Sequence, residues 1–363
     1  MRLPNLNDLI EEQMVVYEHA PDQSLFVAGP PGSGKTSLAI LRANFLKNAG
    51  QQVCLVTKNR MLKRLASQLG GGDIRTETMH RFVTTAYSRT IGGNTPQEPA
   101  YEFEWDKIIA AYTAAGYAPS LDHLVIDEGQ NLPRGFFQWA VRFGARTVTV
   151  FADEDQTTDP QRLSSSLADI VNAGLPQPRR LHENHRNTAE IAAVAEHFHR
   201  SSLLPPGVVR RGRGGETPKL VNIDSWGTAA MMIAARYRNR GESIGVIVYL
   251  KDDVRTLKDL LSVALPDARV DSYTSSSPEG SEDINLLSPG VTVLSSESVI
   301  GLEFDAGYLQ DLKRSLPCNL PEQFRRLYML CARARNSLTL LNGPDSLSPA
   351  ELASLPGPIL LER

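Results

Sequence analysis

A glycine-rich segment limits most strictly what this chain can fold into. Residues 29–36 read Gly-Pro-Pro-Gly-Ser-Gly-Lys-Thr and fit the pattern G-x-x-x-x-G-K-[ST]. The segment follows an apolar run, Ser24–Ala28, and precedes a stretch with helical character. A loop of this kind wraps nucleotide phosphates with main-chain N–H groups at the positive end of a helix. The sequence therefore predicts an α/β domain that binds a nucleotide.

Within this loop, two side chains have distinct predicted roles. Lys35 supplies a positive charge to the β and γ phosphates, and the Thr36 hydroxyl coordinates Mg²⁺. The predicted nucleotide-binding residues of the loop are Gly29, Pro30, Pro31, Gly32, Ser33, Gly34, Lys35, Thr36 and Ser37.

An acidic pair complements the loop. The apolar run His123–Ile126 ends in Asp127 and Glu128, and strand ends of a parallel sheet meet at one edge. We expect Asp127 to hold Mg²⁺ and Glu128 to orient and deprotonate the attacking water. Together the loop and the acidic pair predict a nucleoside triphosphatase.

The alternation of apolar runs and helical stretches predicts the fold class. Such alternation is typical of parallel sheets covered on both faces, and 363 residues suffice for about two domains. Gly174–Arg180 resembles a linker, so we predict lobes at 1–177 and 178–345 and a tail at 346–363. The predicted strands are Ser24–Ala28, Val53–Thr57, His123–Ile126, Thr147–Phe151, Lys219–Ile223, Ile244–Leu250, Val291–Leu294 and Ser337–Leu341. The predicted helices are Tyr101–Ala115, Thr228–Arg238, Asp252–Leu265 and Pro321–Arg333.

Two further segments are predicted to be exposed loops without regular structure. Ser272–Pro289 is rich in Ser, Pro and acidic residues, and Leu204–Thr217 contains Arg210, Arg211 and Arg213. These arginines either contact phosphates or belong to a solvated linker.

Composition argues against several classes of protein. The net charge is −3, so no global positive field draws the chain to nucleic acid or an anionic membrane. Three cysteines are typical of a reducing compartment. No signal-peptide pattern and no apolar stretch of about 20 residues is present. We therefore expect a cytoplasmic protein without a membrane segment.

The order of the motifs resembles that of superfamily 1 helicases, the UvrD and Rep group, from about Leu6 to Leu341. The segment Asp127-Glu-Gly-Gln130 resembles the family's D-E-x-Q box, and Ala152-Asp-Glu-Asp-Gln156 resembles its third motif. The resemblance implies that Gln13 reads adenine and that Gln156 senses the γ-phosphate.

The second half of the chain continues the resemblance. Leu181-His-Glu-Asn-His-Arg186-Asn resembles the fourth motif, Gly301-Leu-Glu303-Phe the fifth, and Arg326 to Arg333 the sixth. The resemblance implies that Arg186 and Arg333 reach the γ-phosphate from the second lobe, and that Glu303 contacts ribose. Such arginines neutralise the charge that develops on the phosphoryl oxygens.

The family places single-stranded DNA across both lobes. Thr57-Lys-Asn59 and Thr78-Met-His80 resemble the strand-contacting motifs of its first lobe. Thr57, Asn59 and His80 are therefore the candidate nucleic-acid contacts, with loop capping as the alternative role for these residue types.

Three departures from the family pattern leave two functions open. The third motif continues without an aromatic residue, Ser295–Ile300 lacks the usual His and Lys, and the large insertions of both lobes are nearly absent. The resemblance implies two RecA-like P-loop NTPase lobes with ATP and Mg²⁺ in a cleft between them. The first hypothesis is an ATP-dependent helicase or translocase on single-stranded DNA. The second is a non-unwinding ATP switch that regulates a protein partner such as a nuclease.

Overall fold

The computed structural model describes residues 3–58, 60–98, 102–153, 164–200, 207–210, 215–274, 276–277 and 284–363. The chain divides into two compact units. Of the described residues, the first unit holds 3–29 and Gly34–Leu181, and the second holds Pro30–Ser33 and His182–Arg363.

The first unit is an α/β unit built on a parallel sheet. Its strands are β1 Leu25–Ala28, β2 Val53–Thr57, β3 Arg75–Thr78, β4 Gln97–Glu98, β5 Glu102–Phe103, β6 His123–Ile126, β7 Thr147–Ala152 and β8 Arg179–Arg180. Its helices are α1 Glu11–Tyr17, α2 Lys35–Asn48, α3 Arg60–Leu69, α4 Met79–Thr90, α5 Trp105–Ala114, α6 Arg134–Trp139 and α7 Leu167–Asn172. The strands of the six-stranded sheet run in the order β3-β2-β6-β7-β1-β8, and every neighbouring pair is parallel.

Both faces of this sheet are buried, which explains why its central strands are apolar without alternation. Leu25 and Val27 of β1 pack on one face with residues of α2. Phe26 and Ala28 pack on the other face, in a cluster that contains Phe136 of α6. The order also places β7 between β1 and β6, so the carboxyl ends of these three strands are neighbours.

The second unit repeats this architecture. Its strands are β9 Glu183–Asn184, β10 Val208–Val209, β11 Lys219–Asn222, β12 Ser243–Val248, β13 Val270–Tyr273, β14 Gly290–Ser295, β15 Phe304–Leu309 and β16 Ala334–Asn342. Its helices are α8 Ala189–Glu196, α9 Trp226–Arg240, α10 Lys251–Ala264, α11 Pro321–Cys331 and α12 Pro349–Ala353. The six-stranded sheet runs in the order β11-β16-β15-β12-β14-β13 and is parallel throughout. Helices α9 and α10 contribute to the core on one face, whereas α8 and α11 pack near β16. Two parallel sheets in an α/β chain confirm the predicted fold class.

Several predicted boundaries are wrong in detail. The last two residues of the predicted linker, Arg179–Arg180, form strand β8 beside β1, although their exposed side chains give no apolar signal. Val208–Val209, within a predicted loop, forms a short parallel pair with β9 through its main chain. The loop predicted at Ser272–Pro289 begins too early, since β13 continues to Tyr273.

Two helices are shorter than predicted. The helix predicted at Tyr101–Ala115 begins at Trp105, because Glu102–Phe103 pairs with Gln97–Glu98. The helix predicted to reach Arg333 ends at Cys331, and Arg333 directly precedes β16. Among the residues that the structure describes, no helix combines the length and apolar character needed to span a bilayer.

Candidate nucleotide site

The glycine-rich loop lies between the carboxyl end of β1 and the start of α2. Gly32 and Gly34 have φ angles of +82° and +86°, a region that favours glycine. Gly34 is the N-cap residue directly before α2, and a Cβ atom there would lie 3.2 Å from Nε2 of Gln13. The motif glycines therefore meet both a conformational and a spatial requirement.

Lys35 points back into its own loop. Its Nζ donates to the carbonyl oxygen of Gly29 at 2.6 Å and lies 3.3 Å from Oδ2 of Asp153. Asp153 is fully buried at the end of β7, so the lysine charge is compensated inside the unit. Sequence reasoning did not single out Asp153, although its position just after a strand next to β1 is a usable signal.

Asp127 follows β6 and is buried. The Thr36 hydroxyl forms a hydrogen bond with the Asp127 carboxyl group. Burial and the nearby Glu128 raise the pKa of Asp127, and the bond from Thr36 opposes this effect only in part. Within the described part of the chain, Oδ2 of Asp127 is buried without a hydrogen-bond partner. A hydroxyl beside an unsatisfied carboxylate oxygen fits the oxygen ligands that Mg²⁺ prefers.

Glu128 is held in an uncommon conformation. Its φ angle is 56°, and its Oε2 accepts hydrogen bonds from Nε2 of Gln130 at 2.6 Å and Nδ2 of Asn131 at 3.4 Å. The next residue must be small, because a Cβ atom on Gly129 would lie 2.7 Å from Cγ1 of Val150. The amide partners of Glu128 were not among the predicted site residues, and the D-E-x-Q pattern is the signal for one of them.

Gln13 lies in α1 and is 7% exposed. Its Oε1 accepts a hydrogen bond from the main-chain N–H of Ile10 at 3.3 Å. Together with the approach of its Nε2 to Gly34, this contact places the predicted adenine-reading residue beside the phosphate loop.

In the second unit, the structure brings three of the sequence-predicted charged residues into one region of the sheet. Nε of Arg186 donates to Oε2 of Glu303 at 2.5 Å, and Nη1 of Arg335 lies 3.8 Å from Oε1 of the same carboxylate. Burial disfavours the charged form of Glu303, but the two arginines outweigh it and keep its pKa below the ordinary value. Arg333 is buried and donates to the carbonyl oxygens of Met329 and Leu302 at 3.0 and 3.4 Å.

The nucleic-acid candidates differ in accessibility. Thr57 is fully buried at the end of β2, whereas His80 is half-buried in the first turn of α4. The His80 ring stacks on Phe103 with 4.6 Å between ring centroids. Burial lowers the pKa of His80, while a hydrogen bond with Gln97 acts against that shift. Asn59 and Gln156 lie outside the described residues.

Comparisons with known proteins place residues 8–202 in a family model described as an AAA domain. A solved structure that matches is the C-terminal domain of a possible DNA helicase from Lactobacillus plantarum WCFS1. It shares 21% identity, covers 49% of this chain and 96% of its own, and has a TM-score of 0.36. No curated protein matches the chain.

Proposed function

Since this chain belongs to the AAA domain family, we propose that its P-loop ATPase domain hydrolyses ATP to move the protein along single-stranded DNA. The observation that carries the ATPase part is the cluster of Lys35, Thr36, Asp127 and Glu128 around one glycine loop. Each of these four side chains is buried. Burying ionisable groups costs free energy, and such groups are concentrated at functional sites.

The first unit supplies the chemistry of hydrolysis in this proposal. Lys35, whose Nζ lies 3.3 Å from Oδ2 of Asp153, contacts the β and γ phosphates of ATP. Thr36 and Asp127 hold Mg²⁺, which neutralises phosphate charge when bound. Glu128 accepts the proton of the attacking water, because its carboxylate stands at the same sheet edge as the loop.

The remaining roles come from the resemblance to superfamily 1 helicases. Gln13 reads adenine, and Gln156 couples the γ-phosphate to the DNA-binding face. Arg186 and Arg333 compensate the charge that develops on the transferred phosphoryl group. Glu303, which holds Arg186 at 2.5 Å, contacts ribose in the nucleotide-bound state.

In the same proposal, Thr57, Asn59 and His80 contact the DNA backbone. The hydrogen-bonding groups of hydroxyl, amide and imidazole side chains suit phosphate oxygens. Because Thr57 and Nε2 of His80 are both buried, DNA binding requires the surroundings of both side chains to open.

One observation favours the second function, an ATP switch that acts on a protein partner such as a nuclease. Ser295 and Ser298 stand where the resembling family has basic strand contacts, and both are buried. Their hydroxyl groups bond each other at 2.9 Å, so they do not present donors to a nucleic acid.

The rate of ATP hydrolysis with and without single-stranded DNA tests the proposal. A translocase responds to the strand, so we expect kcat to rise at least about tenfold with a 40-nucleotide oligomer, because strand binding completes its site. Duplex DNA of the same length and the Lys35→Ala variant are the controls. An ATPase that hydrolyses ATP equally well with and without DNA would exclude the translocase and leave the switch.

A further inference from the structure

Gln130 is a buried polar residue whose amide bonds the carboxylate of Glu128. It follows Glu128 by two residues and has no exposed surface. A buried amide group costs about 1–3 kcal/mol unless its donor and acceptor are satisfied. The contacts of this side chain therefore define what it does.

Both ends of the Gln130 amide are hydrogen-bonded to the nucleotide site. Its Oε1 accepts from the main-chain N–H of Asp153 at 2.9 Å, and its Nε2 donates to Oε2 of Glu128 at 2.6 Å. A main-chain N–H can only donate, so the oxygen must face Asp153 and the nitrogen must face Glu128. The orientation of the amide is thus fixed by its partners.

The contact to Asp153 extends to the phosphate loop. The Asp153 carboxylate lies 3.3 Å from Nζ of Lys35, which donates to the carbonyl oxygen of Gly29. One chain of polar contacts therefore joins the carboxylate of Glu128 to the loop through the end of β7. Because β7 lies between β1 and β6, Gln130 connects groups carried by three adjacent strands.

We propose that Gln130 is a positioning residue that holds the Glu128 carboxylate in register with the phosphate loop. This role rests on the proposed function, in which Glu128 accepts a proton from water. A general base must keep its geometry within a fraction of an ångström, and a shift of about 1 Å can cost about 100-fold in rate. A side chain that fixes both Glu128 and β7 provides that constraint.

Gln130→Met tests the role, since methionine has a similar length but neither hydrogen-bonding group. We expect kcat for ATP hydrolysis to fall about 100-fold, while KM for ATP and the Kd of a fluorescent ADP analogue stay within about twofold of wild type. Asn342→Met is the matched control, because Asn342 is a buried amide of the second unit that bonds Asn222 and Leu347. Gln130→Leu, which is shorter and also lacks both hydrogen-bonding groups, is the second variant if methionine prevents folding.

A double variant separates positioning from general structural support. If Gln130 acts through Glu128, adding Gln130→Met to Glu128→Gln causes little further loss in single-turnover rate. Multiplicative losses, or a Gln130→Met enzyme with the kcat of wild type, would overturn the positioning role and leave the ATPase intact. A wild-type protein that hydrolyses no more ATP than Lys35→Ala would instead refute the proposed function, and the role of Gln130 with it.

Discussion

The two units share one architecture, but the charged residues of their candidate sites lie at opposite ends of the parallel strands. In the first unit, Asp127 and Asp153 directly follow the carboxyl ends of β6 and β7, and Lys35 begins the helix after β1. In the second, Glu303 and Arg333 directly precede β15 and β16, at the amino ends of parallel strands. The same fold therefore presents acid and lysine chemistry in one unit and a paired arginine cluster in the other. Function here follows from which strand ends carry the charges and not from the architecture alone.

The largest expected effect comes from removing the lysine of the first unit. Lys35→Ala deletes the charge that the proposal assigns to the phosphates, so hydrolysis should fall by more than about 1,000-fold. Phosphate release under saturating ATP measures the loss. Lys47→Ala is the control, because Lys47 lies on the same helix and contacts only the surface carbonyl of Asp73 among the bonds described. Equal rates of ATP hydrolysis in Lys35→Ala and Lys47→Ala would show that Lys35 takes no part in hydrolysis.

The next test addresses the arginine cluster of the second unit. Arg186→Ala should lower kcat about 100-fold with a smaller change in KM, because an arginine that acts on the transferred phosphoryl group contributes mainly in the transition state. Arg210→Ala is the control, since this exposed arginine pairs with Glu183 outside the cluster. Steady-state kinetics of both variants decide whether the second unit takes part. A normal kcat in Arg186→Ala would show that Arg186 takes no part in the chemistry.

The ion pair of the second unit also has a consequence for stability. Glu303→Gln leaves Arg186 and Arg335 without their buried partner charge, which should destabilise this unit by about 3 kcal/mol. Hydrogen exchange of peptides from β15 and β16 measures the change locally, and peptides from β6 and β7 serve as the internal reference. The matched variant Glu297→Gln removes an exposed carboxylate and should leave exchange unchanged. Equal protection in both variants would show that the cluster contributes no stability.

A pH effect is also expected in the first unit. Burial and the charge of Arg42 lower the pKa of His123 to about 4, while Nε2 of its ring lies 2.8 Å from Oγ1 of Thr149. Because the pKa of His123 is lower in the folded protein than in the unfolded chain, neutral His123 adds its full contribution to the free energy of unfolding above about pH 6.5. This contribution is lost as the pH falls towards 4 and the histidine takes up a proton. The loss amounts to as much as about 3 kcal/mol. Exchange protection of β6 and β7 at pH 7.5 and 5 should differ in wild type and much less in His123→Gln.

Prediction from sequence succeeded where apolar strands are buried on both faces. The sequence predicted the bounds of two strands correctly, Val53–Thr57 and His123–Ile126. A short run of Val, Leu and Ile between polar turns is typical of a buried strand. One central strand, Phe304–Leu309, also escaped prediction, because Asp305 and Gly307 interrupt its apolar run. The other strands that escaped prediction include Arg75–Thr78, which lies at the edge of its sheet and contains exposed or half-buried polar residues. Their pairing depends on neighbouring main chain and leaves no pattern in the side chains.

The candidate site shows a similar division. The loop and the acidic pair follow from local sequence, because each depends on spacing within a few residues. The bond from Lys35 to Asp153 and the pairing of Arg186 with Glu303 join residues more than 100 positions apart. No spacing rule predicts such partners, and only the fold reveals them.

Strand β8 has a mechanical consequence. Its residues pair with Val27 and Ala28, and the N–H of Leu181 donates to the carbonyl oxygen of Ala28 at 2.8 Å. The last residue of the first unit, Leu181, therefore bonds Ala28, which directly precedes Gly29 of the glycine loop. Tension on the chain at Leu181 would therefore act first on the hydrogen bonds of β1, next to the glycine loop.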